Sequence, residues 1–171
     1  RLFEFEQISH LLEEKVHQTV LEINLNAITH NLKTYQQLLN PGVKLMAMVK
    51  AFSYGSGGFE IANLLQFHKV DYLAVAYADE GVELRKAGIT LPIMVMNAEE
   101  VTYDVLVQHN LEPELFSFGI LSTFEDYLMR NGILNYPVHI KLDTGMRRLG
   151  FEQKDIAGLC SRLQSTSVFK I

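Results

Sequence analysis

Short apolar runs alternate along this chain with longer segments whose apolar residues return every three or four positions. The short runs read as strands buried on both faces and the longer segments as helices with one apolar side. Strands are expected at Val20–Leu25, Lys44–Val49, Asp71–Val75, Leu91–Met96, Leu115–Phe118, Pro137–Leu142 and Ser167–Ile171. Helices are expected at Ala27–Leu39, Phe59–Phe67, Asp79–Ala87, Val101–Gln108, Leu121–Asn131 and Gln153–Leu163. Gly88 and Gly132 fall where two of these helices should stop, as left-handed C-caps require.

Strands separated by single helices imply βαβ units and a parallel sheet. From Lys44 onward the repeat is regular and carries no Gly/Ser linker, which favours a barrel over a doubly wound sheet. The fold class is therefore α/β, the N-terminal part of a (β/α)8 TIM-type barrel with about five to six strands present. Val20–Leu25 alternates apolar and polar from Leu21 on, so it is expected to pair outside the barrel as a half-exposed strand. Residues 1–17, with Glu4, Glu6, Glu13 and Glu14 among apolar positions, read as a solvated helix or linker.

Composition narrows the function. Hydrophobic residues make up 48% of 171, a folding composition with a core large enough for one domain. A net charge of −5 argues against a nucleic-acid surface. No run approaches the roughly 18 apolar residues of a membrane span, and none resembles a signal peptide. The single Cys160 fits a reducing, cytoplasmic setting and reads as a small buried hydrophobe on a helix. His10, His30, His68 and His109 lack metal-ligand spacing, so no metal is expected. The chain opens at Arg1 and closes in what reads as another strand, so a piece of a longer protein is expected.

Two stretches carry chemistry. In the first, the strand Lys44–Val49 ends at Lys50 against a glycine turn, Tyr54-Gly55-Ser56-Gly57-Gly58, and a helix follows. A strand, a glycine turn and a helix N-terminus make an anion site, because unpaired helix N–H groups point at the turn. Strand alternation puts Lys44, Met46, Met48 and Lys50 on one face, which would point into the barrel with Lys50 at the strand's C-terminal end. A positioned amine there suits a Schiff base, whereas a lysine without such context is a surface residue. In the second stretch, Val138, Ile140 and Leu142 alternate with His139, Lys141 and Asp143, so one face of the strand is ionisable. That pattern fits a lined site or a solvated edge. A glycine-bracketed loop then presents Arg147 and Arg148, suited to carboxylate or phenolate oxygen.

The stretch "MVKAFSYGSG" resembles the pyridoxal-phosphate lysine motif of alanine racemases, and "HIKLDTGMRRLGF" resembles their second signature. "TVLEINLNAITHNLKTYQQLL" and "YADEGVELRKAGITLPIMVMN" are similar to that family in order and spacing. The resemblance covers 18–171 and implies an eight-stranded barrel holding pyridoxal 5'-phosphate, with a C-terminal β domain absent here. It implies that Lys50 is the Schiff-base lysine and catalytic base for the D-alanine face. Tyr54 would bind the cofactor phosphate, and Arg148 the cofactor's phenolic oxygen and the substrate carboxylate. Lys141 matches a lysine that many members carry as a carbamate; the plain alternative is an unmodified lysine paired with Asp143 or reaching water. The opposite base would be a tyrosine from a partner subunit's C-terminal domain, so a homodimer is implied. The substrate implied is alanine, with D-alanine destined for peptidoglycan.

This sequence departs from that pattern at Phe52-Ser53, where Asn-Ala is usual, at Ser56 in place of His, and at Arg147 in place of Gly. Residues 1–17 resemble instead the junction of fused proteins in which a UDP-N-acetylmuramoyl-tripeptide:D-alanyl-D-alanine ligase precedes the racemase. No GxxxxGK[ST] loop occurs, so such a ligase would lie upstream. The rivals are a non-catalytic pyridoxal-phosphate-binding barrel, a racemase for another amino acid, and a generic nucleotide loop at Tyr54–Gly58.

Overall fold

The computed structural model describes residues 19–171. The linker, junction and His10 expectations for 1–17 lie outside them. The first helix among the described residues, α1, spans Leu25–Leu38, and Asn24 caps it by accepting from the Ala27 N–H at 3.1 Å. The expected strand at Val20–Leu25 does not form: 19–24 carry no regular structure, and Leu25 already belongs to the helix. Its alternation reflects a capped helix entry with Leu21 76% exposed, and among the described residues no strand pairs with it.

Seven strands follow: β1 Met46–Met48, β2 Tyr72–Val75, β3 Ile93–Val95, β4 Glu112–Leu115, β5 Tyr136–Pro137, β6 His139–Ile140 and β7 Phe169–Lys170. The helices between them are α2 Gly58–Phe67, α3 Ala78–Lys86, α4 Tyr103–Gln108, α5 Phe118–Arg130 and α6 Ile156–Ser165. All pairings are parallel, in the order β1-β2-β3-β4-β6, with β5 beside β7. β5 and β6 are two halves of one extended segment, paired with β7 on one side and β4 on the other. Each new strand is thus added at the same edge of the sheet. That sequential order is the barrel pattern; a doubly wound sheet reverses direction at a switch point. The sheet is an open arc rather than a closed barrel.

Four helices hand over to the next strand through one device. After α2, α3, α4 and α5 a residue with positive φ follows the cap: Lys69, Gly88, Asn110 and Gly132. In each case the next residue donates its N–H back into the last turn: Val70 to Leu65 O, Ile89 to Leu84 O, Leu111 to Leu106 O, and Ile133 to Leu128 O. Val70, Ile89 and Leu111 are buried. The side chain of Arg85 stitches two of these connectors together. It donates to the carbonyls of His109 (3.0 Å), Ile89 (2.9 Å), Leu91 (2.7 Å) and Asn110 (3.0 Å). The buried Tyr136 hydroxyl donates to Leu106 O and Leu111 O, and its burial raises its pKa well above the usual phenol range.

Register divides the sheet into two faces. Leu73, Val75, Ile93, Val95 and Leu115 are fully buried and join helix residues such as Ile61, Leu84, Leu106 and Phe124 in one apolar core. The opposite face carries Met46 and Met48, Tyr72 and Ala74, Met94, Glu112 and Glu114, and His139. It matches the inward face expected for β1. The expected strand Leu115–Phe118 lies earlier, at Glu112–Leu115, because Ser117 caps α5 by accepting from the Ile120 N–H. Pro113 and two glutamates disguise this strand as a loop. Cys160 is exposed on α6 rather than buried, since that helix turns Leu159 to the core.

Candidate functional site

The two expected site segments leave the sheet at the same end of its strands. In a parallel arc all C-terminal strand ends lie together, so the turn after β1 and the loop after β6 both open there. Lys50 directly follows the buried Val49 and is half-buried. After it, Ala51, Phe52, Ser53 and Tyr54 all take left-handed backbone angles, with φ of 52, 52, 53 and 57°. Four successive non-glycine residues in this region cost about 1–2 kcal/mol each, so the turn needs an external restraint.

Glu80 supplies it. Its Oε1 accepts the Ala51 N–H at 2.6 Å, and its Oε2 accepts the N–H groups of Ala76 (2.7 Å) and Tyr77 (3.1 Å). One carboxylate thereby ties the backbone next to Lys50 to the end of β2 and the first turn of α3. Sequence reasoning missed Glu80; the one local signal was its place three residues after the Tyr77 cap, where an acidic side chain reaches back to a free N–H. Beyond the turn, Gly57 (φ 103°) leads into α2, whose first N–H groups open toward the turn. Tyr54 is 69% exposed on the same turn.

The second segment organises itself. Asp143 Oδ1 accepts the N–H groups of Gly145 (2.9 Å) and Arg147 (3.0 Å). These bonds, that of Arg147 first, hold the Asp143 carboxyl below the usual carboxylate range. Arg147 stands at φ 54°, in a conformation natural to glycine. Gly150 is required: a Cβ there would sit 2.6 Å from Asp143 N, where the chain crosses itself. Phe151 N–H donates to Lys141 O and Asp143 N–H to Phe151 O, closing the loop's base. Arg147 and Arg148 are exposed around an open cavity of about 570 Å³ that Asp143 and Glu152 also line.

The ionisable face of β6 meets an acidic face on β4. His139 Nε2 lies 2.8 Å from Glu112 Oε2, and Lys141 Nζ lies 3.4 Å from Glu114 Oε1. In the alternative reading of an unmodified Lys141, the Asp143 partner is replaced by Glu114, since Asp143 is engaged with its own loop. Sequence reasoning missed both glutamates because their partners lie 27 residues away. Lys141 and Arg148 share a second, smaller cavity of about 130 Å³, and Lys50 and Tyr54 share one turn, both at the C-terminal end of the arc. Among the described residues no group of three or more His, Cys, Asp or Glu side chains is placed to hold a metal ion. No helix among them is long and apolar enough to cross a membrane.

The lysine turn and the arginine loop thus lie at the C-terminal end of a parallel arc of sequentially added strands, the arrangement of a barrel-type domain. Residues 23–171 match the family described as "Alanine racemase, N-terminal domain". The alanine racemase of Synechocystis sp. is 38% identical over 149 residues, covering 85% of this chain and 39% of that protein. The amino-acid racemase of Enterococcus faecalis is 40% identical over 139 residues, 79% of this chain and 18% of that one. The solved alanine racemase of Clostridium difficile 630 superposes with a TM-score of 0.79 at 30% identity, over 88% of this chain and 42% of its own. A second structure of that enzyme, in complex with cycloserine, gives 0.79 at 31% identity, over 86% and 41%. This chain belongs to the alanine racemase N-terminal domain family. It spans about two fifths or less of the curated relatives named here.

Proposed function

We propose that the full-length protein interconverts L-alanine and D-alanine with pyridoxal 5'-phosphate, and that this chain supplies the cofactor lysine and the substrate arginine. The observation that carries the reading is the Lys50 turn: an amine at a strand's C-terminal end, followed by a strained turn clamped by Glu80 and a helix N-terminus. The donor set fits the cofactor, with an amine for its aldehyde, Tyr54 and turn N–H groups for its phosphate, and Arg148 for its phenolic oxygen. When bound, pyridoxal phosphate delocalises the electron pair left behind as the α-proton departs.

Lys50 Nζ would take the α-proton of D-alanine, or give a proton to that same face when L-alanine is the substrate, while the base on the opposite face does the converse. Arg148 fixes the substrate carboxylate by charge-assisted hydrogen bonds, so the α-carbon is presented in one orientation. Glu80 keeps Lys50 aimed through the backbone of Ala51. The base on the L-alanine face comes from a partner subunit's C-terminal domain, which makes a homodimer the working form. D-alanine made in the cytoplasm would serve peptidoglycan, with an upstream ligase where residues 1–17 resemble a fusion junction.

A racemase for another amino acid is the second reading, favoured by the similarity to the Enterococcus faecalis amino-acid racemase. The test is D-enantiomer formation from L-alanine, L-serine and L-lysine by the cofactor-loaded full-length protein. Preference for alanine supports the proposal, and preference for serine or lysine moves it to the second reading. Cofactor binding without racemisation of any amino acid would mean a non-catalytic barrel.

A further inference from the structure

Among the described residues, Glu114 is the one charged side chain of the inner face that the fold buries almost completely, at 6% exposure. Its Oε1 faces Lys141 Nζ at 3.4 Å, and its Oε2 has no hydrogen-bond partner among the described residues. A buried carboxylate oxygen without a donor is costly, so its presence calls for a cation or donor the site supplies when assembled. The space in reach is a cavity of about 130 Å³ lined by Glu114, Lys141, Met96, Asp143, Met146 and Arg148. Arg148 is the guanidinium on that lining. Asp143 does not compete for it through Oδ1, which already takes two backbone N–H groups.

The same arrangement bears on the state of Lys141. A carbamate on Nζ would set a second anion within hydrogen-bond reach of a buried carboxylate, and like charges so placed are strongly disfavoured. The anion that a carbamate would bring to this corner is already present as a side chain.

We propose that Glu114 is a positioning residue: its carboxylate pairs with Lys141 as an unmodified ammonium and offers its second oxygen to Arg148, giving the site a built-in anion in place of a carbamate. The Lys141–Glu114 pair stands on geometry alone, and only the task of Arg148 rests on the cofactor reading. Glu114 touches neither the substrate nor the reacting atoms; it acts through the two cations.

The test uses the full-length holoenzyme equilibrated with ¹³C-bicarbonate and compared by ¹³C NMR with a Lys141→Met variant. The parent should give no carbamate resonance that the variant lacks. Glu114→Gln should weaken pyridoxal phosphate binding about tenfold, the scale of one charge-assisted hydrogen bond. It should also raise KM for alanine by more than it lowers kcat, and Glu114→Asp should recover part of both. A carbamate resonance lost on Lys141→Met would overturn the proposal, as would unchanged cofactor affinity and KM in Glu114→Gln. The NMR arm uses the parent fold, so it decides even if Glu114→Gln does not fold. If no cofactor attaches at Lys50, the functional reading fails, while the carbamate measurement still decides the Lys141–Glu114 pair.

Discussion

The lysine turn and the arginine loop solve one problem in two ways. Each must hold a cationic side chain at the open end of a parallel arc, on backbone that takes left-handed angles at non-glycine residues. In each, a carboxylate collects backbone N–H groups. At the lysine turn the carboxylate comes from Glu80, 29 residues further on and set on a different helix. At the arginine loop it comes from Asp143, two and four residues before the N–H groups it holds. The first clamp couples the turn to the packed sheet; the second is a local fold of the loop on itself. The difference follows from strain. Four consecutive left-handed residues exceed what local hydrogen bonds offset, whereas Arg147 alone carries about 1 kcal/mol.

This comparison sets the order of expected effects. Lys50→Ala should reduce racemisation by the full-length protein more than about 1,000-fold, since it removes a reacting group. Glu80→Ala should lower kcat/KM about 100-fold, the scale of a displacement of about 1 Å at a reacting group. Asp143→Ala should cost only about tenfold, because Gly150 and the Phe151 bonds still close that loop. Steady-state kinetics of the two carboxylate variants side by side would break the comparison if Asp143→Ala proved the more damaging.

The arginine loop should also respond to acid. The folded-state pKa of Asp143 is depressed by the N–H groups it accepts, so its ordering of the loop is full above the usual carboxylate range. That ordering is lost as pH falls through the depressed value. Protection of the Gly145 and Arg147 amides, relative to intrinsic exchange at the same pH, should fall below that point, and Asp143→Ala should show the low protection at every pH. The smallest effect expected is Arg147→Gly, which should stabilise the chain by about 1 kcal/mol in urea unfolding by relieving one left-handed residue. A loss of stability there would mean that the Arg147 side chain contributes more than its backbone strain removes.

The sequence was most legible where pattern and packing agree. Strands such as Asp71–Val75 and helices such as Ala27–Leu39 were found to within two residues, because burial on one face dictates their periodicity. β4 was shifted because its inner residues, Glu112 and Glu114, are charged and its middle is Pro113. The caps at Lys69 and Asn110 were hidden because tertiary packing of Val70 and Leu111 forces positive φ on residues that do not advertise it. Parity anticipated that Lys50 lies just past the end of β1 and that Lys141 shares the inner face of β6, and the two motifs anticipated the turn carrying Tyr54 and the loop carrying Arg148. Their restraints, Glu80 and Glu114, were not anticipated, since each is defined by a partner that only the folded sheet brings near.

The central claim is that Lys50 bears the cofactor. Borohydride reduction of the full-length holoenzyme, followed by proteolysis and mass mapping, should leave a pyridoxyl group on Lys50 and on no other lysine, and Glu80→Ala should slow its formation without moving it. A pyridoxyl group on Lys44 or Lys141, or full labelling of a Lys50→Ala variant, would contradict the account.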